Sequence, residues 1–310
     1  MKKISLIIAA VFVFTGISFG QTAQEFLNRG NQFYTNKQYT EAIANFSSAI
    51  QLMPSAPEPW YNRAQCYYFT GMYNLAVSDY TKALSLKPNY LDALFQRGLS
   101  YNKLKNHDAA IADYTQGIAL APNDSQFWYN RGIAYSDKGD IESAFADYNK
   151  AIALNPNYMK AFVNRSGIYF KKKQNDLALA DINKAIQLDP SYVEAWNNRG
   201  VIYNSQNLPD LAIADLNQAL KLDPNYSKAY LDRGISYNKK KQNDLAIADL
   251  SKAVSISPNY VNAYIMRGAI YFDTKRFDLS KADMDKVLTI DPNHKFAKDI
   301  LNRIAALPKP

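Results

Sequence analysis

Residues 125–158 read SQFWYNRGIAYSDKGDIESAFADYNKAIALNPNY and contain two helical patterns. From Trp128 to Tyr135, large and small residues recur at i, i+3, i+4 and i+7, the spacing of one helix face. From Ala144 to Ile152 they recur at i, i+4, i+7 and i+8. No stretch alternates polar and apolar residues for long, and alanine is frequent where β-branched residues would be expected in strands. The segment therefore predicts a pair of helices.

A proline follows the second helical pattern, and it recurs at 34-residue intervals through the chain. The eight positions are Pro54, Pro88, Pro122, Pro156, Pro190, Pro224, Pro258 and Pro292. A fixed period of this size is typical of stacked-repeat proteins, and proline cannot continue a helix. We expect Gly139 to end the first helix of its repeat. We expect the Asn or Ser after each proline to cap the N-terminus of the helix that follows.

Small residues share one position in the first helix of the repeats. Six repeats have glycine there: Gly30, Gly98, Gly132, Gly200, Gly234 and Gly268. Glycine inside a helix costs about 1 kcal/mol relative to alanine. The pattern therefore predicts that the partner helix approaches closely at this position.

These residues resemble the tetratricopeptide repeat family, whose pattern includes Trp, Gly, Tyr, Ala, Phe and Pro at fixed places. Trp60, Trp128 and Trp196 match its first aromatic position. The resemblance implies an all-α, right-handed superhelical solenoid of eight helix pairs plus a C-terminal capping helix. The expected repeats span 23–56, 57–90, 91–124, 125–158, 159–192, 193–226, 227–260 and 261–294. A capping helix and tail are expected over 295–310.

One position departs from the family pattern, because arginine replaces its usual leucine in all eight repeats. In repeats two to eight an aspartate follows 16 residues later, as in Arg63 and Asp79, Arg97 and Asp113, and Arg131 and Asp147. A charge in a packed position needs a partner. We expect Arg–Asp ion pairs within or between repeats; the alternative is that both residues lie on the solvated rim and hardly interact.

The family resemblance also implies that the first helices line a concave groove. The groove positions are aromatic in the first four repeats, at Tyr34, Tyr61, Tyr68, Phe69, Phe95 and Tyr129. They turn polar later, as at Asn197, Asn204, Ser205 and Asn238. Tyrosine offers a large contact area at little entropic cost. The hypothesis is that a peptide docks on the aromatic half; the alternative is that these rings only pack on one another.

The first 20 residues are expected to lie outside the fold. Lys2 and Lys3 precede the apolar run Ile4–Phe14, and small residues occupy the cleavage positions at Ser18 and Gly20. This is the pattern of a secretory signal peptide, which predicts an exported protein, periplasmic or extracellular. The alternative is an uncleaved N-terminal membrane anchor.

The sequence offers no reaction centre. His107 and His294 are the only histidines and Cys66 is the only cysteine, so no Cys/His zinc site is expected. No cofactor or metal is expected, and Cys66 is interpreted as a small core residue rather than a reactive thiol. The formal charge of +8 is mild for 310 residues.

We therefore predict a non-enzymatic scaffold that binds a protein or peptide partner and no nucleic acid. Membrane contact is compatible with this sequence but not required. The alternative function is a structural component of a membrane-associated envelope assembly.

Overall fold

The computed structural model describes residues 19–307, which form seventeen α-helices and no strand. The predicted signal peptide and the last three residues lie outside this range, apart from Phe19 and Gly20, which begin α1. The helices are α1 Phe19–Thr35, α2 Tyr39–Leu52, α3 Pro57–Phe69, α4 Tyr73–Leu86, α5 Leu91–Lys103, α6 His107–Leu120, α7 Ser125–Lys138, α8 Ile141–Leu154, α9 Met159–Lys171, α10 Asn175–Leu188, α11 Val193–Ser205, α12 Pro209–Leu222, α13 Ser227–Lys239, α14 Asn243–Ile256, α15 Val261–Asp273, α16 Phe277–Ile290 and α17 Lys295–Ala305.

The helices pack in consecutive pairs, as expected for a tetratricopeptide solenoid. They form two compact bodies, residues 19–156 and 157–307. Within each body, the first helix of a repeat packs on its second helix, and that helix packs on the next repeat. First helices of neighbouring repeats also touch. In each body, we call the surface that these helices form its first-helix face. None of the helices in residues 19–307 has the length and apolar character needed to cross a bilayer.

The shared glycine position is explained by close packing between the two helices of a repeat. A Cβ atom built on Gly98 would lie 2.6 Å from Cε1 of Tyr114, a fully buried ring on α6. On Gly200, a Cβ would lie 2.9 Å from Leu216 and 3.3 Å from the backbone oxygen of Ala212. The predicted close approach is confirmed, because no side chain larger than hydrogen fits at either position without a shift.

The turn inside each repeat ends the first helix with a residue in the left-handed region. Gly139 has φ +93° in the fourth repeat, so the expectation that it ends α7 is confirmed. Six other repeats use lysine or asparagine there with φ of 58–60°, such as Lys105 and Asn207. The following amide closes the turn: Asn106 N–H donates to the Tyr101 carbonyl at 2.9 Å.

The expected caps after the prolines are wrong by one residue. The residue before α5 is Tyr90, whose side chain makes no capping bond, and the residue before α11 is Tyr192. Asn89 instead lies inside a tight turn in which Tyr90 N–H donates to the Lys87 carbonyl at 3.1 Å. Proline sets the first central position of such a turn, so the next residue belongs to the turn and not to the helix.

The last helix covers the end of the stack. Ala297 and Ile300 of α17 are buried against Met284 and Val287 of α16. Stacked repeats leave an apolar face at each end, and a terminal helix with one polar side removes it from water. Phe296, on the outer side of α17, stays exposed.

Candidate functional site

An aromatic cluster lies where the first two repeats turn. The rings of Tyr39 and Phe69 stack with centroids 5.6 Å apart and planes at 9°. Tyr34 lies 6.0 Å from both rings, and Tyr68 meets Phe69 edge to face at 5.7 Å. Phe69 is still 54% exposed despite these contacts. We call Tyr34, Tyr39, Tyr68 and Phe69 the aromatic patch.

A polar pocket of about 230 Å³ opens beside this patch on the first-helix face. It is lined by Asn31, Tyr34, Thr35, Asn62 and Gln65, and we call it the amide pocket. Asn62 Nδ2 donates to Asn31 Oδ1 at 2.9 Å. The Tyr34 hydroxyl donates to Gln65 Oε1 at 2.9 Å. These bonds hold side-chain amides from two repeats in fixed orientations.

Tyr61 extends the polar chain into the core. The Gln65 amide nitrogen donates to its hydroxyl, and its ring lies 4.9 Å from Tyr90 and 5.7 Å from Tyr80. Burial raises the pKa of Tyr61, and the negative charge of Asp92 raises it further. Tyr61 is therefore a neutral donor and acceptor at the floor of this region.

Two of the six predicted groove residues do not belong to this surface. Tyr129 is only 9% exposed and packs on Tyr148 at 5.9 Å. Phe95 packs edge to face on Phe127 at 5.3 Å and on Tyr114 at 6.0 Å. Phe95 and Tyr129 thus pack against neighbouring rings and lie outside the aromatic patch and the amide pocket, and their role in partner binding stays a prediction. The structure brings Tyr34, Tyr68 and Phe69 together in the aromatic patch and places Tyr61 beneath the amide pocket.

The periodic arginines pair with the aspartates of their own repeats. In each repeat from the second to the eighth, arginine Nε and Nη2 donate to the two carboxylate oxygens at 2.7–2.9 Å. The pairs are Arg63–Asp79, Arg97–Asp113, Arg131–Asp147, Arg165–Asp181, Arg199–Asp215, Arg233–Asp249 and Arg267–Asp283. In the first repeat, which has Asn45 in place of Asp, Arg29 is exposed.

Each pair is also tied to its surroundings. Arg131 Nη1 donates to the Thr115 hydroxyl of the preceding repeat at 3.0 Å. Its guanidinium lies 4.9 Å from the Trp128 ring centroid and 5.7 Å from that of Tyr135. The hydrogen bonds with Asp147 raise the pKa of Arg131 against the opposing effect of burial. The arginines therefore hold repeats together and are not available to a ligand.

The first-helix face of residues 157–307 contains a polar cluster around Asp232, a residue that the sequence analysis did not single out. Asn197 Nδ2 donates to Asp232 Oδ2 at 3.0 Å, and Asn204 Nδ2 donates to the Asp232 carbonyl at 3.1 Å. The Ser236 hydroxyl bonds both Asn204 Oδ1 and the Asp232 carbonyl at 2.9 Å. Asp232 was missed because it stands at the sixth repeat position, where most repeats have asparagine. The remaining predicted polar residues, Ser205 and Asn238, lie outside this cluster.

Cys66 lies in the core between the first two repeats and is fully buried. Burial raises its pKa to about 12, so the thiol is protonated at neutral pH. In residues 19–307, no group of three His, Cys, Asp or Glu side chains is arranged to hold a metal ion.

Family comparisons agree with this architecture. A tetratricopeptide repeat profile matches residues 57–90, 91–124, 125–158 and 193–226, and a second matches 261–294. A TPR repeat profile matches 30–71, 167–207 and 234–275. No curated protein matches the chain.

Solved structures share the fold at low identity. The Cut9–Hcn1 hetero-tetramer of the APC/C aligns with a TM-score of 0.68 at 17% identity, over 96% of this chain and 59% of that one. A tetratricopeptide repeat protein from Parabacteroides merdae aligns at 0.66 and 20%, over 80% and 98%. MamA residues 41 to the end, from Desulfovibrio magneticus RS-1, align at 0.53 and 24%, over 56% and 99%.

The profiles cover most of the chain, and the helix pairs follow the same period. Proteins of this family are in general scaffolds for protein–protein interaction. The chain belongs to the tetratricopeptide repeat family.

Proposed function

We propose that this protein is a non-enzymatic scaffold that binds an extended peptide segment of a partner at the amide pocket and aromatic patch. The observation that carries the proposal is the pairing of oriented side-chain amides with an exposed ring. Asn31, Asn62 and Gln65 line a pocket of about 230 Å³. Phe69 lies beside it and is half exposed.

The chemistry of this surface suits a peptide. A side-chain amide presents both a donor and an acceptor, which matches the N–H and C=O groups of an extended backbone. Aromatic rings supply apolar contact area at low entropic cost. The pocket is open, and its volume suits one or two residues of a chain rather than a small molecule enclosed on all sides.

The test is selection of binding peptides from a displayed random library on the full mature chain. The affinities of the selected peptides are then measured for the wild type and for the variants N62A and F69A. We expect each variant to weaken binding at least tenfold, because one removes an amide and the other removes an exposed ring. L245A is the matched control, since Leu245 is also about half exposed but lies on a second helix. Equal loss in all three variants, or in none, contradicts the proposal.

We also propose that the protein is exported, with cleavage after about Gly20. Residues Met1–Gly20 have the composition of a signal peptide. Fractionation with N-terminal sequencing of the mature chain tests this. A soluble envelope or extracellular fraction that begins near Gln21 supports export, whereas an intact Met1 in the membrane fraction supports the anchored alternative. Membrane co-fractionation of the cleaved chain would instead favour the alternative role in a membrane-associated assembly.

A further inference from the structure

The cluster around Asp232 leaves two oxygen atoms unused. Asn197 is only 4% exposed, and its Oδ1 is buried without a hydrogen-bond partner. Its Nδ2 donates to Asp232 Oδ2 at 3.0 Å. Within residues 19–307, Asp232 Oδ1 accepts no hydrogen bond and Asp232 forms no ion pair. A buried acceptor without a donor, such as Asn197 Oδ1, is rare in folded proteins and needs an explanation.

The surroundings of Asp232 are negative and aromatic. Tyr192, Tyr226 and Tyr260 stand at the starts of three successive first helices. Burial, together with the charges of Glu194 and Asp232, raises the pKa of Tyr226 to about 12. The same two residues therefore place negative charge along these rings. Tyrosine faces and carboxylates both attract cations.

Among residues 19–307, Lys228 is the one cation that shifts the pKa of this carboxyl. Lys228 precedes Asp232 by one helical turn and lowers the pKa of its carboxyl, but burial has the larger effect and raises that pKa to about 6. A pocket of about 440 Å³ opens at Lys228 and Tyr260 and is completed by Ser227, Ser257, Pro258 and Asn259. This space lies at Lys228, one helical turn from Asp232, and neither Asp232 nor Asn197 lines it.

We infer that Asp232 and Asn197 form a binding site for a basic side chain, a lysine ammonium or an arginine guanidinium, of a peptide partner on the first-helix face. Such a group carries several N–H donors, so it can bond the carboxylate oxygen of half-buried Asp232 that accepts no hydrogen bond, while Asn197 holds the other oxygen. The site extends the proposed peptide-binding role to the body of residues 157–307, and this inference rests on that proposed role. The chain has a formal charge of +8, so a cation would be attracted by this local site and not by the protein as a whole.

The test uses a fluorescent peptide, Gly-Ser-Gly-Lys-Gly-Ser-Gly, and the same peptide with acetyl-lysine. Acetylation keeps the side-chain stem and removes the charge. We expect the lysine peptide to bind at least tenfold more tightly and to shift the Asn197 side-chain amide signal in the NMR spectrum. Equal affinity of the two peptides, or an unmoved Asn197 signal, overturns the inference.

Three variants separate this site from general electrostatics. D232N should weaken binding of the lysine peptide at least tenfold, and K228M should strengthen it about twofold, because it removes a competing cation. D273N, at an exposed acidic residue of another first helix, should change affinity less than twofold. Retained affinity in D232N overturns the site, and circular dichroism establishes that the variant is folded.

Two further comparisons define the ligand and its relation to the amide pocket. Butylammonium binding as tightly as the lysine peptide overturns the assignment to a peptide side chain. F69A and N62A should leave the Asn197 shift unchanged. If the lysine peptide does not bind while the library peptides still depend on Phe69, the Asp232 site is contradicted and the proposed function is retained. If the lysine peptide binds but the library peptides do not depend on Phe69, the amide pocket is contradicted and the Asp232 site is retained.

Discussion

Removal of Arg131 should destabilise the protein by about 3 kcal/mol in an R131L variant. The substitution deletes two hydrogen bonds to Asp147 and one to Thr115. The Asp147 side chain is only 5% exposed, so it would lose its charged partner while staying largely out of water. Loss of one member of a buried ion pair costs about 3–5 kcal/mol. The Arg131 side chain is 15% exposed, which places the cost at the lower end of that range.

The assay is denaturant unfolding of the full mature chain followed by far-ultraviolet circular dichroism. Repeat arrays unfold with nearest-neighbour coupling, so the curves should be fitted with such a scheme and not as a single two-state step. Hydrogen exchange of amides in α7 and α8 should show the loss locally. A double variant, R131L with D147L, should recover much of the stability, because an apolar pair leaves no unsatisfied charge.

The first repeat provides the matched control. Arg29 occupies the same repeat position but is exposed, and Asn45 stands where the other repeats have aspartate. Asn45 bonds the Glu41 carbonyl of its own helix. R29L should therefore stay within about 0.5 kcal/mol of wild type. If R131L costs no more than R29L, the reasoning that the pairs stabilise the stack is refuted.

Three further outcomes are expected. G98A should destabilise the protein by about 1–3 kcal/mol, because the added Cβ would lie 2.6 Å from the Tyr114 ring. G167A should instead stabilise it by up to about 1 kcal/mol, because a Cβ added there would meet no atom within 4 Å. Thermal unfolding measures both effects. Cys66 should react with a thiol reagent at pH 8 only after denaturation, because burial raises its pKa to about 12; rapid reaction of the native protein contradicts this. Burial raises the pKa of Asp232 from 3.8 to about 6, so its ionisation opposes folding. Relative to D232N, the free energy of unfolding of the wild type should fall by about 2 kcal/mol as pH rises from 4 to 7. Parallel pH profiles of the two proteins would contradict this.

Periodic features of the fold could be predicted from the sequence because each is repeated in the same physical setting. The helix pairs and the glycine contacts follow from spacing and size alone. The pairing of Arg63 with Asp79 follows from the high cost of a lone buried charge. The sequence left open whether the pairs lie within a repeat or between repeats. In the structure, Arg63 and Asp79 form the ion pair within one repeat. Only Nη1 of Arg63 reaches the preceding repeat, where it donates a hydrogen bond to the Ser47 hydroxyl.

Side-chain direction at the groove was harder to predict. The fifth repeat position holds Tyr61, Phe95 and Tyr129 in three successive repeats, yet only Tyr61 meets the amide pocket, through Gln65. Phe95 instead packs on Phe127, the large side chain that lies against Gly117 of the helix before it. One position can thus face a surface or a core, because the neighbour that fills the gap differs between repeats.

The two candidate sites lie where individual repeats depart from the common pattern. A residue shared by all repeats can be explained by the stack, since it makes the same contacts each time, as the arginines do. Asp232 has no such explanation, because it replaces the amide of most repeats with a carboxylate beside a buried and unsatisfied Asn197. The amide pocket likewise depends on Asn31 and Gln65, whose position is aliphatic or glycine in every later repeat. In a protein built from near-copies, the shared residues specify the scaffold, and the non-periodic polar residues on the first-helix face are where selectivity for a partner should be sought.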